Sequence, residues 1–418
     1  MNSTGNHNST PRTDQSVDRL TAATLKLFSY CQSRNWAGID PYDAVNSKIF
    51  EALPILDRRI PRLIFTQALK RSVINFRGLL LVPPTQNPKA LGLFLISALK
   101  LSKLGLLNGS DPAGYIVSDL KSLRAANSKY WCWGYSFPWQ TRTLLVPRWT
   151  PNLVCTTFIA DALLDAYVQT GDSQFLEMAS SSAKFILDEL YWTDGKNVAG
   201  FAYPLPSMRN NVHNGNFLGA ALFCRIVQHT GEKLFLEPAL KVARYSASRQ
   251  REDGSWKYGE APNQGWVDNF HTGYNLCALR AIGNALGSDE FDSHLRRGFT
   301  FYRDHFFRED GAAKYFHDET YPIDIHSTAQ SILTLVSLKD LHPDNIHLAQ
   351  HVFDWVMNHM WDERGFFYYR VLRPCTIRTS YMRWSQAWML LALSTLLGEV
   401  NQAAKNSPMQ IPTALATR

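Results

Sequence analysis

The sequence predicts an all-α fold in which six helical hairpins close into a ring, an (α/α)6 toroid with short β-like aromatic segments in its loops. Three observations lead there. Turns recur at a regular step, with Gly171, Gly231 and Gly287 standing 60 and 56 residues apart, the signature of a repeat array. Amphipathic segments alternate with segments that are apolar all round, as expected of outer and buried helices. The connections are unequal: those after the apolar segments are a few residues long, whereas those before them run to roughly 14–26 residues, a length that usually marks function.

Taken in order, residues 1–16 read as a flexible tail, 17–399 as one toroid domain and 400–418 as a second tail. Residues 17–33 have helical spacing, broken by a turn-rich loop at Gly38 and Pro41. Six outer-then-inner pairs follow: 54–75 with 89–104, 112–126 with 152–168, 174–190 with 214–229, 234–249 with 270–286, 290–306 with 326–338, and 345–359 with 384–397. An open solenoid is the alternative. Six pairs, two-layer polarity and uneven loops favour closure.

Composition narrows the function. A net charge of +7 and a pI near 9.0 are spread without a Lys/Arg run, so no nucleic-acid partner is expected. Aromatic residues make up 12%, with 12 Trp, and flat apolar rings suit sugar clefts as well as cores. The six cysteines form no Cys-x-x-Cys pair, which argues against a zinc site or a disulfide scaffold and fits a reducing cytoplasm. No stretch has the apolar length of a membrane span and no signal peptide is visible, so a cytoplasmic location is expected. P-loop, Gly-x-Gly-x-x-Gly and Gly-x-Ser-x-Gly motifs are absent, and no cofactor is expected.

The long loops place the cleft at the rim where the inner helices begin, and helix N-termini there favour anionic groups. His213, His271 and His326 recur at steps of 58 and 55 residues at that rim. Neutral imidazole at a helix start suits proton abstraction; the alternative is that these residues cap helices or hold zinc together, although no ligand spacing supports a metal and none is expected. Asp268 and Asp324 stand beside His271 and His326. These four are the catalytic candidates, since paired carboxylates serve glycoside hydrolysis, while Asp at a helix start is also a preferred N-cap. Trp133, Tyr203, Arg209, His213, Tyr258, Glu260, Trp266, Arg383 and Trp384 are the substrate-binding candidates. Guanidiniums among Arg142, Arg148, Arg209, Arg370 and Arg383 could hold uronate carboxylates. Asp161 and Asp165, four apart on one helix face, could pair with a buried Arg.

The blocks Cys132-Trp-Gly-Tyr-Ser-Phe-Pro-Trp-Gln140, Pro151-Asn-Leu-Val-Cys-Thr-Thr-Phe158, Asp253-Gly-Ser-Trp-Lys-Tyr-Gly-Glu260, Trp266-Val-Asp-Asn-Phe-His-Thr-Gly273, Tyr321-Pro-Ile-Asp-Ile-His326 and Tyr381-Met-Arg-Trp-Ser-Gln-Ala-Trp388 carry a resemblance over about residues 35–397. They resemble a family encoded in bacterial capsule and exopolysaccharide loci, within the superfamily of six-hairpin glycosidases, uronate lyases and the helical domain of glucuronyl epimerases. The resemblance implies a toroid and a poly- or oligosaccharide substrate, and carries over no catalytic residue. The expectation is a cytoplasmic or membrane-associated glycan-processing enzyme of hydrolase, lyase or epimerase type in surface-polysaccharide synthesis, associated with assembly proteins. Two alternatives stand beside it. One is a non-catalytic glycan-binding partner of that machinery. The other is a terpenoid-cyclase-like enzyme: Glu252-Asp-Gly-Ser-Trp256 resembles cyclase turns, but the Asp-x-Asp-Asp motif is absent.

Overall fold

The computed structural model describes residues 10–107, 109 and 111–406. In chain order the principal helices are α1 (Thr10–Gln32), α2 (Lys48–Glu51), α3 (Arg59–Arg71), α4 (Pro88–Lys103), α5 (Pro112–Ser122), α6 (Leu153–Thr170), α7 (Ser173–Phe185), α8 (His213–Thr230), α9 (Leu236–Ala247), α10 (Asn269–Leu286), α11 (Asp292–Phe306), α12 (Ile325–Ser337), α13 (Asn345–His359) and α14 (Trp388–Asn406). Residues 10–16 and 400–406 of the expected tails are helical; the remainder of both tails lies outside the described residues.

The inner ring runs α4, α6, α8, α10, α12, α14 and back onto α4. These helices are apolar on several faces, and α10 alone buries Leu276, Leu279 and Ile282. Each such side chain contributes roughly 1.5–3 kcal/mol on burial. Asn152 caps α6 through the Cys155 N–H, and Asp268 caps α10 through the His271 N–H. The repeat glycines Gly171, Gly231 and Gly287 end α6, α8 and α10 in the left-handed conformation, where glycine carries no Cβ penalty.

Two details differ from the sequence expectation. Each outer helix packs mainly on the inner helix before it: α5 on α4, α7 on α6, α9 on α8, α11 on α10 and α13 on α12. The short inner-to-outer turns leave the second helix no room to swing away. The sixth outer helix is α1, packed on α14, and not the segment 54–75. The reason is apolar supply. α1 buries Leu20, Ala23, Leu27, Phe28 and Cys31 along one stripe, while α3 buries only Thr66 and Leu69. α3 sits instead on the loop-bearing rim, beside residues 44–46 and the strand Trp139–Gln140.

Short antiparallel strands pair within and between these loops, among them Ile323–Asp324 with Arg370–Val371. The turn Asp253-Gly254 is scaffold. Asp253 Oδ1 accepts hydrogen bonds from the N–H and Oγ–H of Ser255, and the buried Trp256 donates Nε1–H to Ser246 O. Gly254 has φ +89°, and a Cβ there would lie 2.4 Å from Arg297 O. Gly254→Ala is therefore expected to cost at least about 1–3 kcal/mol of stability, read from the urea unfolding midpoint.

Candidate active site

The first turns of all six inner helices meet at one opening. Lys89 of α4, Val154 of α6, Asn214 of α8, His271 of α10, His326 of α12 and Arg383, in the π-helical turn that leads into α14, line a cavity of about 420 Å³. That volume lies within the roughly 300–1,000 Å³ of small-molecule sites. The walls are aromatic: Trp266 and Tyr258 stack at 4.5 Å and 12°, and Tyr42, Tyr135, Trp139, Tyr203 and Trp384 also face in. No carboxylate stands among the described lining residues.

Asp268 is hydrogen-bonded to His271 at two points. Its Oδ1 accepts the His271 backbone N–H at 3.0 Å, and its Oδ2 accepts Nδ1–H at 2.7 Å and Trp266 Nε1–H at 2.8 Å. A carboxylate on Nδ1 fixes the imidazole tautomer that leaves Nε2 with its lone pair. Nε2 takes no partner among the described residues, and the ring lines the cavity. Asp268 itself is 2% exposed, so it holds the His271 ring and does not line the cavity.

Asp324 is fully buried and fully engaged. Its Oδ1 accepts His326 N–H at 2.9 Å and Trp384 Nε1–H at 3.0 Å, and its Oδ2 accepts Arg370 Nε–H at 2.9 Å and Nη2–H at 2.6 Å. Neither carboxylate is thus presented to the cavity as an acid or base. The reason lies in local geometry, because an Asp that caps a helix turns its oxygens back onto the first-turn N–H groups. His326 lies between Phe270 at 4.5 Å and Trp388 at 4.6 Å, with Nε2 hydrogen-bonded to Tyr274 Oη at 2.6 Å. Burial, reinforced by the charge of Lys89, holds its imidazolium well below the usual range. His326 is therefore a neutral ring at neutral pH.

Two further residues are not foreseen by the sequence reading. Lys89 is 3% exposed. Its Nζ sits 4.3 Å from the Phe158 ring centroid and 5.2 Å from that of Trp388. The amine makes no side-chain hydrogen bond among the described residues while lining the cavity. Burial, with Arg383 nearby, pushes its pKa well below that of an ordinary lysine. Asp40 grips Arg383 through two hydrogen bonds of 2.7 and 2.8 Å, with both side chains buried. The available signal for Lys89 was a lone cation in the first turn of an otherwise apolar helix. Asp40 and Arg383 are 343 residues apart, and nothing local links them.

The sequence matches no family model and no curated relative. Solved structures do match. An unsaturated glucuronyl hydrolase specific for heparin aligns over 93% of this chain and 98% of its own, with TM-score 0.60 and 11% identity. The GH76 α-mannanase BT2949 of Bacteroides thetaiotaomicron covers 77% and 88%, with TM-score 0.57 and 14% identity. The cellobiose 2-epimerase of Spirochaeta thermophila covers 76% and 86%, with TM-score 0.55 and 15% identity. The chain is an (α/α)6 toroid. At these identities the likeness shows the fold alone.

Within that toroid, Arg142, Tyr203, Tyr258, Trp266, His271, His326, Arg383 and Trp384 line the cavity. The other sequence candidates do not. Trp133 is core, donating Nε1–H to Leu120 O. Glu260 is held by Asn211, Tyr245 and Arg249. Arg209 is exposed on its loop. Arg370 is committed to Asp324, and Arg148 to Asn46 and Glu51. Asp161 and Asp165 both pair with Arg225, inside a second cavity of about 320 Å³. Phe158, Tyr274 and Trp388, which line this second cavity, also pack on one another beside the first. Among the described residues no three His, Cys, Asp or Glu side chains are placed to hold one metal ion, so His213, His271 and His326 do not form a zinc set.

His213 is a buried structural residue, with Nδ1 3.3 Å from Ser246 Oγ. Burial pushes its pKa from 6.5 to about 4. The unfolded chain thus binds the proton first, and stability is lost as pH falls from about 6.5 towards 4. Relative to a His213→Gln variant, the wild type should lose on the order of 3 kcal/mol across that window. Urea unfolding of both proteins at each pH reads the difference.

Proposed function

We propose that the chain is a glycan-processing enzyme that removes a proton from a sugar carbon next to a carbonyl or carboxylate, as an epimerase, isomerase or lyase does. The observation that carries this reading is the Asp268–His271 pair, with Nε2 open to an aromatic cavity that has no described carboxylate in its lining. A hydrolase needs two carboxyl groups facing the bond, about 5–5.5 Å or 6.5–9.5 Å apart. Asp268 and Asp324 are spent on backing His271, Arg370 and Trp384.

In this reading Tyr258, Trp266 and Trp384 offer ring faces to the sugar. His271 Nε2 takes the proton as general base. The negative charge that develops on the substrate oxygen faces the guanidinium of Arg383 and the amine of Lys89, whose N–H groups donate hydrogen bonds to it. The solved relatives include enzymes named for cellobiose epimerisation and for hydrolysis of unsaturated glucuronyl units, which supports a saccharide substrate. The surface-polysaccharide setting and the assembly-protein partners rest on the resemblance of the six sequence blocks. Six unpaired cysteines suit a reducing compartment.

Lys89→Met should lower turnover by at least about tenfold without loss of stability, because it replaces a buried amine that has no hydrogen-bond partner among the described residues by an apolar chain. Steady-state kinetics and an unfolding curve check the two halves of that statement. The proposal itself is tested by incubating the purified chain with reducing oligosaccharides and with uronate-containing glycans. A sugar of unchanged mass and altered configuration, or an unsaturated uronate, supports it. Water added across a glycosidic bond, or no change in any substrate, overturns it.

A further inference from the structure

Ten of the fifteen exposed large apolar side chains among the described residues fall between Ile49 and Leu81. This is the rim segment that joins α1 to α4. Ile55 is 78% exposed, Leu79 75%, Ile60 66% and Ile64 64%. Scattered surface apolar residues need no explanation, but a concentration of this kind marks an interaction surface.

The same segment is basic. Residues 47–82 hold seven Lys or Arg against Glu51 and Asp57. Lys48, Arg58 and Arg71 are exposed and have no carboxylate partner among the described residues. On α3, Ile60, Ile64, Ala68 and Arg71 follow one another at helical spacing and are all exposed. Apolar side chains interleaved with unpaired cations suit the headgroup boundary of an anionic bilayer, where the first insert and the second meet phosphate. The core of a protein–protein interface is instead depleted of charge.

The segment also adjoins the cavity. Lys70 Nζ donates to Tyr42 Oη at 2.7 Å, and Arg59 Nε donates to Arg142 O at 2.9 Å. Tyr42 and Arg142 both line the opening. Among the described residues no helix is long and apolar enough to cross a membrane, so attachment would be from one side.

We propose that residues 47–82 seat the chain on a bilayer containing anionic lipid, with the cavity mouth beside the headgroups, where a lipid-linked glycan would present its sugar. The attachment stands on the surface alone; only the lipid-linked substrate rests on the proposed function. The full chain is mixed with vesicles of phosphatidylcholine, with and without phosphatidylglycerol, and floated on a density gradient. The expected result is flotation with the anionic vesicles, weakened by salt and reduced at least about tenfold by Arg58→Glu with Arg71→Glu. Ile60→Asp with Ile64→Asp should reduce it as well. Far-ultraviolet circular dichroism and the unfolding midpoint show that both double variants fold. Failure to float, equal binding to neutral vesicles, or a dimer dissolved by Ile60→Asp with Ile64→Asp would overturn the proposal. None of these readouts uses turnover, so they are independent of the reaction assigned to the site.

Discussion

His271→Asn should reduce turnover by about 10²–10⁴-fold, the usual contribution of a positioned general base. The ring has Asp268 on Nδ1 at 2.7 Å and an Nε2 without a partner among the described residues, so the substitution removes the proposed proton acceptor and leaves the walls standing. KM should change little, because Tyr258 and Trp266 still stack on each other. Stability should also hold, since the His271 side chain is partly exposed and its backbone N–H still meets Asp268. Asp268→Asn gives a complementary result. It can still cap α10, but its amide no longer enforces the tautomer, so kcat falls while the fold persists. A role confined to helix capping would leave kcat untouched in both variants.

The second large effect is on stability. Asp324→Ala should cost about 3–5 kcal/mol, as expected when one partner of a buried ion pair is removed. The loss strands the partly buried Arg370 guanidinium, which lies against Tyr315 and Tyr369, and leaves Trp384 Nε1–H and the start of α12 without their acceptor. Urea unfolding of Asp324→Ala, Arg370→Ala and the double variant separates the terms. The double variant should be more stable than the sum of the single losses predicts, because no charge is left unpaired. The exposed pair Arg244–Glu290 makes a useful contrast, since surface pairs contribute at most about 1 kcal/mol.

The toroid was legible in the sequence because its repeat is written in local signals. Gly171, Gly231 and Gly287 are left-handed helix ends, and that requirement is set within one turn of chain. The cavity-bearing rim was legible for a similar reason: loop length and the recurrence of His271 and His326 are one-dimensional features. Closure was harder to read. Periodicity shows that 17–33 and 54–75 can each form an amphipathic helix, but not which of them finds α14. Burial decided it, with the wider apolar stripe of α1 taking the place. The two aspartates exposed another limit. An Asp before a helix reads alike as N-cap and as acid, and here Asp268 and Asp324 cap while also holding a histidine and an arginine. Lys89 and the Asp40–Arg383 pair depend on contacts across the ring, which spacing along the chain does not encode.

Proton abstraction by His271 is tested most directly by incubating the chain with a reducing or uronate-containing oligosaccharide in deuterium oxide and following the sugar by NMR. Deuterium bound to a single sugar carbon next to a carbonyl or carboxylate, or loss of that carbon's proton as a double bond forms, is expected, and neither event with His271→Asn. Release of a shorter glycan with every carbon-bound proton retained would contradict it.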